Sequence, residues 1–347
     1  MTQITHWING ALDTQSSKRS GEVFNPATGK VTKTVAFADA ATVDRAVNAA
    51  TEAFTSWRHS SLTKRTQLLF AFRELVQQNK EKIAALITDE HGKVLSDAAG
   101  EVTRGLEVVE FACGIPHLLK GGFSEEVSSG VDVYSIRQAL GPVAIISPFN
   151  FPAMVPMWFF PVAIACGNTV VVKPSEKDPS AAMFMAQLWK EAGLPDGVYN
   201  VLHGDKEAVD ALLTHPGIKS ISFVGSTPIA RYVYETGTKS GKRVQALGGA
   251  KNHMIVLPDA DLELAADAAI NAGFGSAGER CMAISAIVAV EPIASALVEK
   301  IKSRMSSIKT GDGTQGSDMG PLVTKVHRDK VASYIEAGSK EDATVVV

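Results

Sequence analysis

The sequence predicts an α/β protein built around an open parallel sheet with helices on both faces. Three observations carry that prediction. Between residues 143 and 247, short β-branched runs alternate with stretches of helical apolar rhythm, the βαβαβ order of a parallel sheet. From Gln138 to Val172 there is no Asp, Glu, Lys or Arg, yet Pro142, Pro148, Pro152, Pro156 and Pro161 punctuate the run. Hydrophobic residues make up 45% of the 347 and charged residues 20%, enough apolar surface for a large core.

The uncharged run could be mistaken for a membrane span, which needs ~20 apolar residues. Its prolines remove backbone donors that lipid cannot replace. It reads as strand, turn, buried helix and strand, and strands covered on both faces need not alternate. A net charge of −3 offers no basic surplus for nucleic acid. The three cysteines, Cys113, Cys166 and Cys281, are odd in number and lie far apart. Neither a disulfide framework nor a metal site is expected, and a reducing compartment fits. The start, MTQITHWINGALD, has no basic segment followed by an apolar one, so no leader is read and a cytoplasmic location is expected.

In chain order, 21–29 reads as turn-rich, followed by helices over 41–57, 62–78 and 96–116, the last carrying Arg104. The stretch 128–137 reads as a strand outside the sheet. Sheet strands follow at 143–147, 169–173, 199–202, 220–224 and 243–247, with helices at 152–166, 181–191, 206–213 and 227–236 between them. A new unit starts at Ala250: strand 253–257, helix 262–274, strand 286–291 and helix 294–306. The chain stops within an apparent strand at 343–347, as a fragment would. Parallel sheets bind ligands at the carboxyl ends of their strands. Those ends are Ser147-Pro148-Phe149-Asn150, Lys173-Pro174-Ser175-Glu176 and Gly225-Ser226-Thr227.

A cysteine, Cys281, stands on the loop Gly273-Phe274-Gly275-Ser276-Ala277-Gly278-Glu279-Arg280, beside an arginine. Cationic neighbours generally raise a thiol's thiolate fraction. The local sequence leaves open a nucleophile or an inert buried cysteine, the reading given to Cys113 and Cys166. Five further motifs precede it in fixed order: Pro148-Phe149-Asn150-Phe151-Pro152, Lys173-Pro174-Ser175-Glu176, Gly193-Leu194-Pro195-Asp196-Gly197-Val198, Phe223-Val224-Gly225-Ser226-Thr227 and Leu247-Gly248-Gly249. Together with the late cysteine they resemble the aldehyde dehydrogenase superfamily across essentially the whole chain.

The resemblance implies a Rossmann-type NAD-binding domain over 1–120 and 140–248. It also implies an oligomerisation strand or hairpin over 121–139 and the start of a second α/β catalytic domain, incomplete, over 249–347. Cys281 would attack the aldehyde carbon, and Asn150, with the Cys281 N–H, would hold the oxyanion. Lys173 and Glu176 would hydrogen-bond the adenosine ribose, a carboxylate there favouring NAD over NADP. Gly225 and Ser226, at a helix N-terminus, would meet the pyrophosphate. Ser147, Phe149 and Gly248 would line the cofactor channel, and Lys177 is a further candidate. Each residue also has a plain reading: a turn asparagine, a solvated charge pair at a strand end, an N-cap serine.

Two positions depart from the superfamily pattern. Gly-x-Thr-x-x-Gly reads Gly225-Ser226-Thr227-Pro228-Ile229-Ala230, and Pro228 still suits a helix's first turn. The glutamate that hydrolytic members carry just before Leu-Gly-Gly, as base for water, is Ala246. A thiol is intrinsically more nucleophilic than water, so deacylation by coenzyme A becomes the natural second half.

Gly249-Ala250-Lys251-Asn252-His253 and Gly278-Glu279-Arg280-Cys281-Met282 resemble the CoA-acylating methylmalonate-semialdehyde dehydrogenases, including the malonate-semialdehyde members. That resemblance implies that Arg104 and Arg280 grip a substrate carboxylate, for which guanidinium is suited. It implies NAD as cofactor, coenzyme A as co-substrate, and loss of carbon dioxide to give propionyl-CoA or acetyl-CoA. A homo-oligomer, dimer or tetramer, is expected, with no nucleic-acid or membrane partner. Glu279 is read as a charge partner on the loop. The alternatives are a hydrolytic semialdehyde dehydrogenase and an inactive NAD-binding fragment.

Overall fold

A computed structural model describes residues 2–15, 17–341 and 343–347. Its central sheet has seven strands in the order Arg243–Leu247, Ser220–Val224, Pro142–Ile146, Thr169–Lys173, Tyr199–Val201, Trp7–Ile8 and Ala11–Leu12. The first five are parallel; the last two, from the N-terminus, add an antiparallel edge. The two middle strands are buried at every residue, which is why the sequence there shows continuous apolar runs.

Alternate residues of those strands enter two cores. Val143, Ile145, Val170 and Val172 face one, closed by the helices Leu62–Gln78, Lys80–His91, Leu95–Cys113, Met154–Ala165 and Ser180–Glu191. Ala144, Ile146 and Val171, with Phe223 of the neighbouring strand, face the other, closed by Ala40–Trp57, Lys206–Thr214 and Thr227–Lys239. The uncharged run is thus strand, turn, core helix and strand. Among the described residues no helix is long and apolar enough to cross a membrane.

Beyond the sheet lies a second, smaller α/β unit. Its parallel strands Asn252–Val256 and Ile284–Ala289 pack against helices Leu262–Phe274 and Ala294–Met305. Residues 123–134 form an exposed two-stranded hairpin, Phe123–Ser128 with Val131–Tyr134.

The N-terminal region differs from the sequence reading. The segment read as turns is mostly strand Arg19–Asn25, hairpinned to Lys30–Phe37 with Thr2–Ile4 on its far side. Only 26–29 turns, with Gly29 at φ 67°. Helices Lys80–His91 and Lys325–Lys340 went unread. The second carries Val331, Tyr334 and Ile335 at helical spacing but leaves all three exposed and buries no residue. Residues 343–347 form no strand.

Candidate active site

Cys281 follows a turn at Gly275–Gly278 that links helix Leu262–Phe274 to strand Ile284–Ala289. Ser276 and Ala277 both sit at φ 53° and Gly278 at φ 75°. Two consecutive non-glycine residues in the left-handed region carry real strain and persist only where neighbours over-determine them. The neighbours are visible. Asp97, from helix Leu95–Cys113, accepts the Ser276 N–H at 3.0 Å. Asn252 donates its side-chain amide to the carbonyls of Cys281 at 2.8 Å and Ala283 at 2.9 Å. Sequence reasoning assigned no role to Asp97 or Asn252, because neither is close in sequence to the loop it holds.

Cys281 is half-buried and lines a cavity of about 610 Å³ together with Asn150, Gly225, Ser226, Gly248, Glu279 and His327. The motifs at the ends of three sheet strands and the late cysteine therefore share one space. Asn150 is held there by its backbone. Lys93 Nζ donates to the Asn150 carbonyl at 2.6 Å and pairs with Glu101 at 2.8 Å. The other Glu101 oxygen accepts the N–H groups of Ala153 at 2.8 Å and Met154 at 3.1 Å, at the N-terminus of helix Met154–Ala165. Lys93 and Glu101 are both buried, so this pair stands only because its hydrogen bonds are met.

A second cavity of about 340 Å³ adjoins the first and is lined by Lys93, Asp97, Glu101, Arg104, Phe151, Arg280 and Met282. Arg280 borders both. Its guanidinium is paired with Asp97 at 2.7 Å and lies over Gly275, where a Cβ would come within 2.5 Å of it. Lys93 is likewise paired with Glu101. Arg104 is exposed, and among the described residues its side chain has no carboxylate partner; its nearest hydrogen-bonding atom is Met282 Sδ at 3.9 Å.

Of the other predicted cofactor residues, Phe149, Gly225, Ser226 and Gly248 also line the Cys281 cavity, whereas Ser147, Lys173, Glu176 and Lys177 are not among its lining residues. Ser226 takes the N-cap position of helix Thr227–Lys239, but its side chain does not cap the helix, leaving first-turn N–H groups free. Gly225 passes over the Phe223 ring, where a Cβ would be 2.4 Å from it. A Cβ on Gly248 would come within 3.1 Å of Thr227 Oγ1. Ser147 Oγ is buried and has no hydrogen-bond partner among the described residues. Lys173 Nζ donates to the Gly204 carbonyl at 2.9 Å and lies 3.6 Å from Glu176; burial lowers its pKa below the usual lysine range. Lys177 Nζ stands 4.3 Å over the Phe149 ring.

Glu279 is not a surface charge on the loop. Its side chain is 3% exposed, and Oε1 is 2.6 Å from His327 Nδ1. Its other oxygen lies 3.7 Å from His91 Nε2. Burial pushes its pKa up to about 7. His327 stands in the first turn of helix Lys325–Lys340, one of the two helices the sequence did not disclose.

Residues 12–347 match the sequence model of the aldehyde dehydrogenase family. A malonate-semialdehyde dehydrogenase of Pseudomonas aeruginosa is 53% identical over all of this chain and 70% of its own length. One from Geobacillus kaustophilus is 48% identical, covering 99% and 71%. Among solved structures, methylmalonate-semialdehyde dehydrogenase from Oceanimonas doudoroffii superposes with a TM-score of 0.98 at 53% identity, over 100% of this chain and 71% of that one. A Sinorhizobium meliloti protein described as a methylmalonate-semialdehyde dehydrogenase, solved with NAD, gives 0.98 at 50% identity with the same coverage.

Proposed function

Because the chain belongs to the aldehyde dehydrogenase family, we propose that it oxidises malonate or methylmalonate semialdehyde through a Cys281 thioester and passes the acyl group to coenzyme A. The observation that carries this reading is Arg104. It is the cation of the second cavity left without a carboxylate partner, next to the cavity that holds Cys281. A pocket with an unpaired guanidinium at one end and a thiol near the other suits a short aldehyde with a carboxylate at its far end. Arg280, on the wall between the cavities, adds a second guanidinium whose charge Asp97 partly offsets.

The strand-end residues fit NAD: free helix N–H groups for a pyrophosphate, two glycines where a Cβ would crowd their neighbours, and a buried hydroxyl at Ser147 that has no partner among the described residues. Ser226, Gly225 and Gly248 would hold the phosphates, Lys173 and Glu176 the ribose, with Phe149, Ser147 and Lys177 along the channel. When bound, NAD supplies the acceptor for the hydride that leaves the tetrahedral carbon.

Cys281 thiolate adds to the aldehyde carbon, and the oxyanion is received by the Asn150 side-chain amide and the Cys281 N–H. After oxidation the acyl group is a thioester with a carboxylate β to its carbonyl; it loses carbon dioxide, and the α-carbon that carried the carboxylate takes up a proton from solvent. Ala246 stands where the hydrolytic relatives carry a glutamate, so water has no base from that position and coenzyme A takes the acyl group. The products are acetyl-CoA from malonate semialdehyde and propionyl-CoA from its methyl homologue. The hairpin 123–134, with Phe123 and Tyr134 exposed, is where we place self-association.

The test is the steady rate of NADH formation at saturating NAD and semialdehyde. Without coenzyme A, a burst of about one NADH per site should be followed by a slow leak. A full steady rate releasing free acid would replace coenzyme A by water in this reading.

A further inference from the structure

The acyl-transfer half leaves one proton without a carrier, that of the attacking thiol. Among the described residues lining the Cys281 cavity, the side chains besides Cys281 itself that can exchange a proton near neutrality are Glu279 and His327. These two are hydrogen-bonded to each other at 2.6 Å.

We propose that His327, oriented by Glu279, is the base that receives the thiol proton of coenzyme A during deacylation, an inference that rests on the acyl-transfer reading above. Once Glu279 is ionised, above its pKa of about 7, its carboxylate can only accept, so the 2.6 Å contact puts the hydrogen on Nδ1 and leaves Nε2 as the free, basic nitrogen. A carboxylate behind an imidazole fixes its tautomer and stabilises the imidazolium once formed. Phe149 meets the ring edge-on at 5.8 Å between centroids, and the backbone under it is fixed by the helix N-cap, where the His327 main-chain N–H donates to the Thr324 hydroxyl at 3.2 Å. The His327 side chain is 31% exposed, so a substrate in the cavity can reach it.

The groups facing the pair come from several elements. His91 and Lys93 stand behind Glu279, Lys177 lies over Phe149, and Lys330 is one turn along the helix from His327. Burial holds His327 below the ordinary histidine range, with Lys177 and Lys330 adding to the effect. Near neutrality the imidazole is therefore available as an acceptor.

The step balances. His327 Nε2 takes the S–H proton, and the thiolate sulfur adds to the thioester carbonyl. The bond between that carbon and Cys281 Sγ breaks, and the departing Cys281 thiolate takes the proton back from the imidazolium. No electrons change hands with a cofactor.

The experiment compares full-length wild type, His327→Ala, His327→Gln and Glu279→Gln. It measures the NADH burst, the steady rate with coenzyme A from pH 7 to 9, and the mass of the acid-quenched protein. Both His327 variants should keep the burst and accumulate acyl-Cys281. Their coenzyme A-dependent rate at pH 7 should fall by ~10²-fold, the lower end for a lost general base. The rate should then climb about tenfold per pH unit toward the thiol's own pKa of ~8.5, where no base is needed. Glu279→Gln should fall between these and wild type. A wild-type deacylation rate in both His327 variants, a burst lost in both, or a deficit that pH 9 does not relieve would each overturn the role. A wild type with no burst, or with full turnover in the absence of coenzyme A, would instead refute the acyl-transfer reading itself.

Discussion

Asp97 and Arg280 form an ion pair of 2.7 Å, and the other Asp97 oxygen accepts the Ser276 N–H at 3.0 Å. One carboxylate from the helix Leu95–Cys113 thus holds both the strained turn before Cys281 and the guanidinium beside it. A hydrogen bond to a charged group contributes ~1.5–3 kcal/mol. Asp97→Ala should therefore slow acylation of Cys281 by about tenfold or more, with propanal as well as with the semialdehyde, because the turn is loosened for both. Burst kinetics with the two aldehydes check this; an unchanged propanal burst rate would show that the turn holds without Asp97.

Arg104 and Arg280 should separate the two aldehydes. Losing a desolvated charge-assisted hydrogen bond costs roughly ten- to a hundredfold in kcat/KM. Arg104→Leu should impose that loss with the semialdehyde and leave propanal, which has no carboxylate, nearly untouched. The quantity to measure is the selectivity ratio, which cancels general damage to the fold. If Arg280→Leu leaves the ratio unchanged while Arg104→Leu lowers it, the clamp is Arg104 alone and Arg280 serves the Asp97 anchor.

Cys281→Ala should abolish NADH formation while retaining NAD binding, and Asn150→Ala should lose ~10²–10³ in acylation rate, the usual cost of an oxyanion donor. Because Lys93 grips the Asn150 carbonyl rather than its side chain, the substitution leaves the backbone anchor in place. Acylation detected on Cys113 or Cys166 would overturn the assignment of the nucleophile.

Glu279 makes stability depend on pH in a predictable direction. Its folded pKa, about 7, lies above the unfolded value near 4.5. Below 4.5 the group is neutral in both states. From 4.5 to 7 it ionises only when unfolded, so stability is lost across that window, by about 3 kcal/mol in the linkage limit. Glu279→Gln removes the dependence. The variant's Tm should match wild type below pH 4.5, exceed it increasingly up to pH 7, and keep a constant margin above. Parallel Tm curves from pH 4 to 8 would refute the raised pKa.

Much of the site was legible because its residues lie at strand ends, and strands covered on both faces announce themselves as apolar runs. Thr169–Lys173 and Ser220–Val224 have the predicted limits, and Gly225 and Ser226, after the second of them, line the Cys281 cavity. Asn150, Gly225, Ser226, Gly248 and Cys281 were readable because short motifs keep neighbours in sequence close in space. The helix Lys325–Lys340 was not: Val331, Tyr334 and Ile335 stand at helical spacing, but three apolar residues in a mostly polar segment make a weak periodic signal.

The sequence by itself determined the parallel sheet, the family resemblance, and the identities of the cysteine, the asparagine and the two arginines. Those features are local: period, turn chemistry and motif spacing extend over a few residues and survive without knowledge of what packs against them. Only the tertiary structure decided that Asp97 takes Arg280 and leaves Arg104 free, that Lys93 and Glu101 anchor Asn150, and that Glu279 is buried against His327. Charged side chains far apart in the chain carry no mark of their partners. The pairing is imposed when burial makes an unpaired charge too costly to keep, and burial belongs to the folded whole.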